Sequence, residues 1–343
     1  MRIVYDPEQK AHNPRHFLVR GQLKANPETP ERVDILLRAL QAAGHPVEAP
    51  ADHGPAPRAA VHSPEYLQFL SSIAERWQSL PDAGGEVLPN VHPAARGGSY
   101  PRSAVGQAGY HMADTACPIA PETWRAACAS ANTAADAAAR LLAGEGSSIY
   151  ALCRPPGHHA FGDMAGGFCY LNNAAIAAQQ LRQAASRVAI LDVDVHHGNG
   201  TQGIFYARRD VLTLSVHADP ADYYPFFWGH AAERGAGEGL GFNLNLPLPV
   251  GSGDADMAGA VGTALARIAA YAPGMLVIAL GLDASRDDPL QGMTVSPAGF
   301  GQIGRMIGAV PVPTLIVQEG GYVSPSLGEN LAAFLAGYEE GRA

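Results

Sequence analysis

Cysteine is scarce in this chain, and its few copies do not pair. The 343 residues include four cysteines, Cys117, Cys128, Cys153 and Cys169, with no CxxC spacing among them. That spacing indicates neither a zinc knuckle nor a dithiol redox motif. Cys153 and Cys169 fall in apolar or strand-like settings and read as buried thiols. Basic residues are also in deficit, with 23 Lys and Arg against 32 Asp and Glu and a formal net charge of -9. A nucleic-acid surface normally needs a basic patch, so no nucleic-acid partner is expected. No run approaches the roughly 18 apolar residues needed to cross a bilayer, so no membrane partner is expected either. The opening MRIVYDPEQK lacks the long apolar stretch of a signal peptide, and a soluble cytoplasmic protein is the expectation. Internal repeats and low-complexity linkers are absent as well, so residues 1–343 read as one domain.

What is abundant is small and apolar. Hydrophobic residues make up 47% of the chain, enough for a real core, and 39 glycines with 27 prolines point to many tight turns. Residues 2–5 read as a strand, and 6–30 as loop. Helical spacing runs from Glu31 to Gly44, and again from the Ser63-Pro64 cap through Trp77. Residues 81–110 have no clear period and read as an ordered irregular segment. A helix covers 121–143. Beyond it the chain alternates between strands (148–152, 187–196, 211–217, 275–283, 314–322) and helices (172–185, 255–271, 297–309, 327–336). Near-continuous apolar strands separated by helices predict an α/β fold, with a central mostly parallel sheet covered on both faces.

Five of these strands run into polar or glycine-rich residues at their C-terminal ends: CRPPGHHA, DVDVHHGNG, VHADP, LDASRDDP and EGGYVSP. Ligands of open α/β sheets bind outside the carboxyl ends of the strands, so an active site is expected on that rim. Asp194 and His196 are two apart on an extended segment and can face one ion, with Asp283 as a third ligand. Two carboxylates and one imidazole leave room for water and substrate, as a catalytic zinc requires; Fe²⁺ or Mn²⁺ would also suit the set. The alternative is a capping or hydrogen-bonded pair. His158 and His159 follow a proline-fixed turn and are candidate acid–base groups, with Asp192 and Asn199 as orienters. His197 reads as structural. Tyr322, after Gly320-Gly321, is a candidate donor to an oxyanion.

RPPGHHA (154–160), GGFCYLNNAA (166–175), ILDVDVHHGNGTQ (190–202), LSVHADP (214–220), GLDAS with the following DP (281–289) and QEGGY (318–322) resemble the arginase/deacetylase fold, in the histone deacetylase family. Order and spacing match over roughly 145–335. RPPGHH, HHGNG and DPLQG look more like the class II enzymes and the bacterial acetylpolyamine amidohydrolases than class I. The resemblance implies zinc ligands Asp194, His196 and Asp283. It pairs catalytic His158 with Asp192 and catalytic His159 with Asn199. It makes Tyr322 the residue that polarises the acetyl carbonyl. It implies a channel lined by Gly167, Phe168 and Tyr224, and a structural monovalent cation, K⁺ or Na⁺, near Asp192, Asp194, His196 and Ser215.

Chain size, a segment at about 10–30 and another at about 81–120 resemble the acetylpolyamine branch. There such insertions shape the channel and form a homodimer, and acidic groups at the mouth bind a distal ammonium. By ungapped alignment, Phe17 and Ala116 stand where glutamates are expected, and Asp114, Glu122 or Asp287 are the candidates to compensate. The expected activity is therefore zinc-dependent removal of acetyl groups from acetylated polyamines or related small amines. An acetyl-lysine deacetylase is the alternative. A non-catalytic metal-binding protein is disfavoured, because neither Tyr322 nor a histidine is lost.

Overall fold

The computed structural model describes all 343 residues. The chain opens with β1 (Arg2–Val4), a 3-10 turn (Pro7–Ala11), and a hairpin of β2 (His16–Val19) and β3 (Gln22–Ala25). Helix α1 (Glu31–Ala42), the short strand β4 (Val47–Glu48) and helices α2 (Ala56–Ala59), α3 (Pro64–Gln78), α4 (Ala104–His111) and α5 (Thr123–Leu142) follow. Strands and helices then alternate through β5 (Ser148–Ala151), α6 (Asn173–Leu181), β6 (Val188–Asp192), α7 (Asn199–Phe205) and β7 (Val211–Ala218). The chain closes with β8 (Asn243–Leu248), α8 (Asp254–Tyr271), β9 (Met275–Leu280), α9 (Pro297–Gly308), β10 (Thr314–Gln318) and α10 (Leu327–Arg342).

Eight strands form one sheet in the order β4-β1-β5-β10-β9-β6-β7-β8, and every pairing is parallel. Parallel strands need crossovers, and the helices that supply them cover both faces. The alternation along a strand is visible in β6. Ala189 and Leu191 enter one core with α1, α8, α9 and α10, while Val188 and Ile190 enter the other with α5 and α6. A third cluster joins α3, α4 and α5 beside the site. Alanine lets α5 lie close to the sheet, and glycine lets α9 lie close to α10. A Cβ on Gly304 would come 2.1 Å from the Phe334 carbonyl oxygen.

The element boundaries correct several expectations. Residues 16–25 are not loop but a hairpin, turning at Arg20 and Gly21 with φ of 51° and 73°. Residues 104–111 form a helix, capped when the Ser103 side chain accepts from the Gly106 N–H. The strands expected to reach 196, 283 and 322 stop at 192, 280 and 318. The paired strands β4 and β8 lie at the two sheet edges.

Candidate active site

The site stands on the four central strands. Segments after β5, β10, β9 and β6, neighbours in that order, carry residues 154–159, 319–322, 281–288 and 193–199. Asp194 and His196 lie beyond the end of β6, so strand alternation does not orient them. Side-chain carboxylates do. Asp192 Oδ1 accepts from the Asp194 N–H (3.0 Å), Asp194 Oδ1 from the His196 N–H (2.9 Å), and Asp283 Oδ1 from the Val195 N–H (3.1 Å). Acceptors that the sheet no longer supplies come from the site's own acids.

The ligand atoms of Asp194, His196 and Asp283 all lie within 4.8 Å of one another, and all three residues are buried. His196 Nδ1 is 3.1 Å from Asp194 Oδ1 and 3.2 Å from Asp283 Oδ2. Asp283 Oδ2 is enclosed and satisfies no hydrogen-bond geometry. A buried carboxylate oxygen in that state costs free energy unless a cation meets it. Glycines make the cradle: a Cβ on Gly281 would lie 2.2 Å from Asp194 Oδ2, and one on Gly320 would lie 2.2 Å from Asp283 Oδ2. One imidazole nitrogen and two carboxylates fit a divalent transition metal with open positions for water and substrate. A second cluster, His158, Cys169 and Glu319, is equally buried.

Beside the triad stand the paired histidines, ring centroids 4.0 Å apart. His158 Nδ1 is 2.9 Å from Asp192 Oδ2, and His159 Nδ1 is 2.7 Å from Asn199 Oδ1. Their environments push them apart. Burial opposes charge on His158, but the carboxylates of Asp194 and Asp192 outweigh it and raise its pKa well above the ordinary value. Burial and the neighbouring His158 and His196 hold His159 well below it. Tyr322 is buried, with its ring 5.7 Å from Phe168 and the Arg32 guanidinium 5.0 Å from its centroid. Its backbone N–H donates to Asp288 Oδ2 (2.9 Å).

A channel of about 420 Å³ leads to this floor, and His159, His196 and Tyr322 line it. Gly167 and Phe168 both have positive φ, and Phe168 and Tyr224 line the channel wall. A Cβ on Gly167 would come 2.4 Å from His159 Cδ2, so no larger residue fits there. Phe17 reaches the channel from β2 and packs edge-on against Phe168 at 5.7 Å.

The structure thus brings together the residues read as metal ligands, acid–base groups and channel walls. The mouth differs from expectation. Asp114 lines the channel, but its carboxylate already accepts from the Tyr224 hydroxyl (2.6 Å) and the backbone N–H groups of Gly167 (3.2 Å) and Ala116 (2.8 Å). Glu122 is exposed and paired with Arg125 at 3.0 Å, and exposed Asp287 is not part of the wall. Asp222 and Arg20 do line the channel, and no sequence motif points to either. Tyr223, next to the expected Tyr224, stacks on His196 at 5.2 Å, a contact that no motif announces.

His197 is outside the triad and lies 3.2 Å from Asn245 Oδ1. Of the four residues implied for a monovalent cation, Asp192 and Ser215 are register partners on β6 and β7 and line one small polar cavity. Asp194 and His196 do not line that cavity.

Comparison with known proteins puts this α/β fold and its site in the deacetylase class and supports an amide-hydrolase activity. The histone deacetylase domain model matches residues 26–338, and the chain belongs to that family. Among its relatives, an acetylpolyamine amidohydrolase from Burkholderia pseudomallei is 49% identical over 98% of both chains. Acetylpolyamine amidohydrolase 1 from Pseudomonas aeruginosa is 43% identical over 99% of both. A crystal structure of acetylpolyamine aminohydrolase from Burkholderia pseudomallei superposes with a TM-score of 0.97 at 49% identity, covering all of both chains.

Proposed function

We propose that this chain is a zinc-dependent hydrolase that removes acetyl groups from acetylated polyamines and related small amines, releasing acetate and the free amine. The observation that carries the reading is a buried Asp194–His196–Asp283 cluster beside paired histidines at the floor of an aromatic-lined channel. The likeness to acetylpolyamine amidohydrolases over nearly the whole chain supports the substrate class.

The metal held by Asp194, His196 and Asp283 would supply a Lewis acid for the acetyl carbonyl and lower the pKa of water. His159 is the acid–base residue. Its Nδ1 faces the Asn199 amide oxygen, so the proton resides there and Nε2 is free to take a proton from the attacking water. The same Nε2 then returns that proton to the amine nitrogen as the carbon–nitrogen bond breaks. His158, its pKa raised by the neighbouring carboxylates and its Nδ1 paired with Asp192, offsets negative charge as it develops. Tyr322 donates its hydroxyl to the oxygen of the attacked carbonyl. The phenyl rings of Phe168 and Phe17 with Tyr224 exclude water from a slender acyl-amine chain.

The test is acetate release by zinc-loaded protein from acetylputrescine, acetylspermidine, acetylcadaverine and an acetyl-lysine peptide. The acetylated amines are expected to turn over with the higher kcat/KM. Comparable or faster turnover of the peptide would overturn the polyamine reading in favour of an acyl-lysine deacetylase. No acetate from any of the four would overturn the hydrolase.

A further inference from the structure

We infer that Glu319 is a positioning residue for the paired histidines, an inference that rests on reading this site as an amide hydrolase. Glu319 directly follows β10 and is fully buried. Its side chain crosses to the segment after the adjacent strand β5, where Oε2 accepts from the backbone N–H of Gly157 (2.6 Å) and of His158 (3.0 Å). Those two amides lie at the turn that presents both imidazoles. The opposite side of the turn is closed by backbone: a Cβ on Gly157 would lie 2.4 Å from the Asn173 nitrogen and 2.6 Å from the Leu171 oxygen. The histidine turn is therefore wedged between the 171–173 backbone and one carboxylate oxygen. The His158 carbonyl is held in turn by the Thr201 N–H (3.1 Å).

The main chain of Glu319 ties the same strut to the rest of the site. Its N–H donates to the Leu280 carbonyl (2.8 Å), and its carbonyl accepts from Arg32 Nη2 (2.6 Å). The next residue, Gly320, donates its N–H to Asp194 Oδ2 (2.9 Å), and Tyr322 follows two positions later. One turn thus fixes the histidines through a side chain, a metal-ligand carboxylate through an amide, and the phenol through the chain itself. Two buried N–H groups without an acceptor would be costly, so the turn shifts if the carboxylate withdraws.

The cluster of Glu319 with His158 and Cys169 is better read as this strut than as a second ion site. Oε2 already accepts two N–H groups and His158 Nδ1 is committed to Asp192, which leaves Oε1, enclosed without a hydrogen-bond partner, as the only uncommitted oxygen of Glu319. Reach, not charge, is what the geometry requires.

Two variants separate the two. Glu319→Gln keeps the length and an acceptor oxygen; Glu319→Asp keeps the charge but is one methylene too short to serve both amides. In the full zinc-loaded chain, Glu319→Asp is expected to lower kcat about thirtyfold to a hundredfold, with KM within about twofold, since misplacement near 1 Å costs about that much. Glu319→Gln, the conservative rescue, is expected to hold kcat within about threefold of the parent. Metal content should match in all three proteins, while Tm is expected to fall in Glu319→Asp, where a buried N–H loses its acceptor, and to stay near the parent value in Glu319→Gln.

Amide hydrogen exchange at Gly157 and His158 gives a readout that does not need activity. It should accelerate at least about tenfold in Glu319→Asp and stay near the parent rate in Glu319→Gln. Unchanged kcat and exchange in Glu319→Asp, or an equal loss of both in Glu319→Gln, overturns the positioning role. A parent protein that releases no acetate while the exchange pattern holds overturns only the hydrolase reading.

Discussion

Every residue from Asp192 to Asn199 is buried, whereas none from Arg15 to Ala25 is. The first segment leaves the centre of the sheet, and its amides and carboxylates are cross-linked at 2.9–3.1 Å by Asp192, Asp194 and Asp283. The second is a two-stranded hairpin held to the body by few bonds, one of them from the Thr115 hydroxyl to the Leu18 carbonyl at 2.9 Å. Yet both reach the same channel, one at its floor and one at its wall. The difference separates two physical tasks. The groups proposed to act on the carbonyl are placed on the core, where packing and hydrogen bonds over-determine them. Groups that only bound the path of a chain are placed on a surface element that tolerates change.

That division is most exposed to test at Tyr322. Tyr322→Phe removes one hydroxyl and leaves the ring contact with Phe168 and the Asp288 bond to its backbone. The expected result is a fall in kcat of about a hundredfold to a thousandfold with full zinc content, the cost of losing one oxyanion donor. Unchanged kcat would remove Tyr322 from the chemistry.

A smaller and different effect is expected from the wall. Phe17→Ala deletes the ring that packs on Phe168 and leaves the residues of the metal and histidine clusters in place. Losing part of an aromatic contact is worth about 1 kcal/mol, so KM should rise about fivefold while kcat stays within about twofold. If kcat instead fell as far as KM rose, the hairpin would belong to the catalytic apparatus and the two-region comparison would fail.

The sequence made the floor more legible than the wall, for reasons that particular residues display. At the floor, apolar runs give way to ionisable residues at once, as at Leu191-Asp192 and Leu282-Asp283. The apolar alternation runs on through Val193 and Val195, so the pattern predicts a strand over 187–196 although β6 ends at Asp192. Only the Val193 N–H still finds a sheet partner, Ala279; the next three amides turn to carboxylates. The hairpin escaped because each strand is four residues long and its pairing depends on a turn with two consecutive positive φ angles. Strand β8 escaped because Asn243, Asn245 and Pro247 interrupt an apolar pattern, which an edge strand tolerates. The Asp114–Tyr224 bond joins residues 110 positions apart, a distance no local pattern spans.

The seam between the flank and the rim yields the mildest expected effect. His62 stands just before α3, buried, and its Nε2 accepts from the Asn172 N–H at 3.0 Å. That bond fastens the α3 side of the molecule to the segment leading into α6. Burial lowers the His62 pKa from the ordinary 6.5 to about 4. Below pH 6.5 the unfolded chain therefore takes up a proton that the native chain refuses, and stability falls as pH drops from about 6.5 toward 4. Above pH 6.5 both states are neutral and the contribution is flat. Buried His12 and His217, lowered to about 3 and about 4, act in the same direction. Glutamine has no proton to gain, so His62→Gln should lower Tm at pH 8 through poorer packing and yet show a shallower decline between pH 6.5 and 5. Parallel Tm-against-pH curves for the two proteins would mean that His62 does not make this seam sensitive to acid.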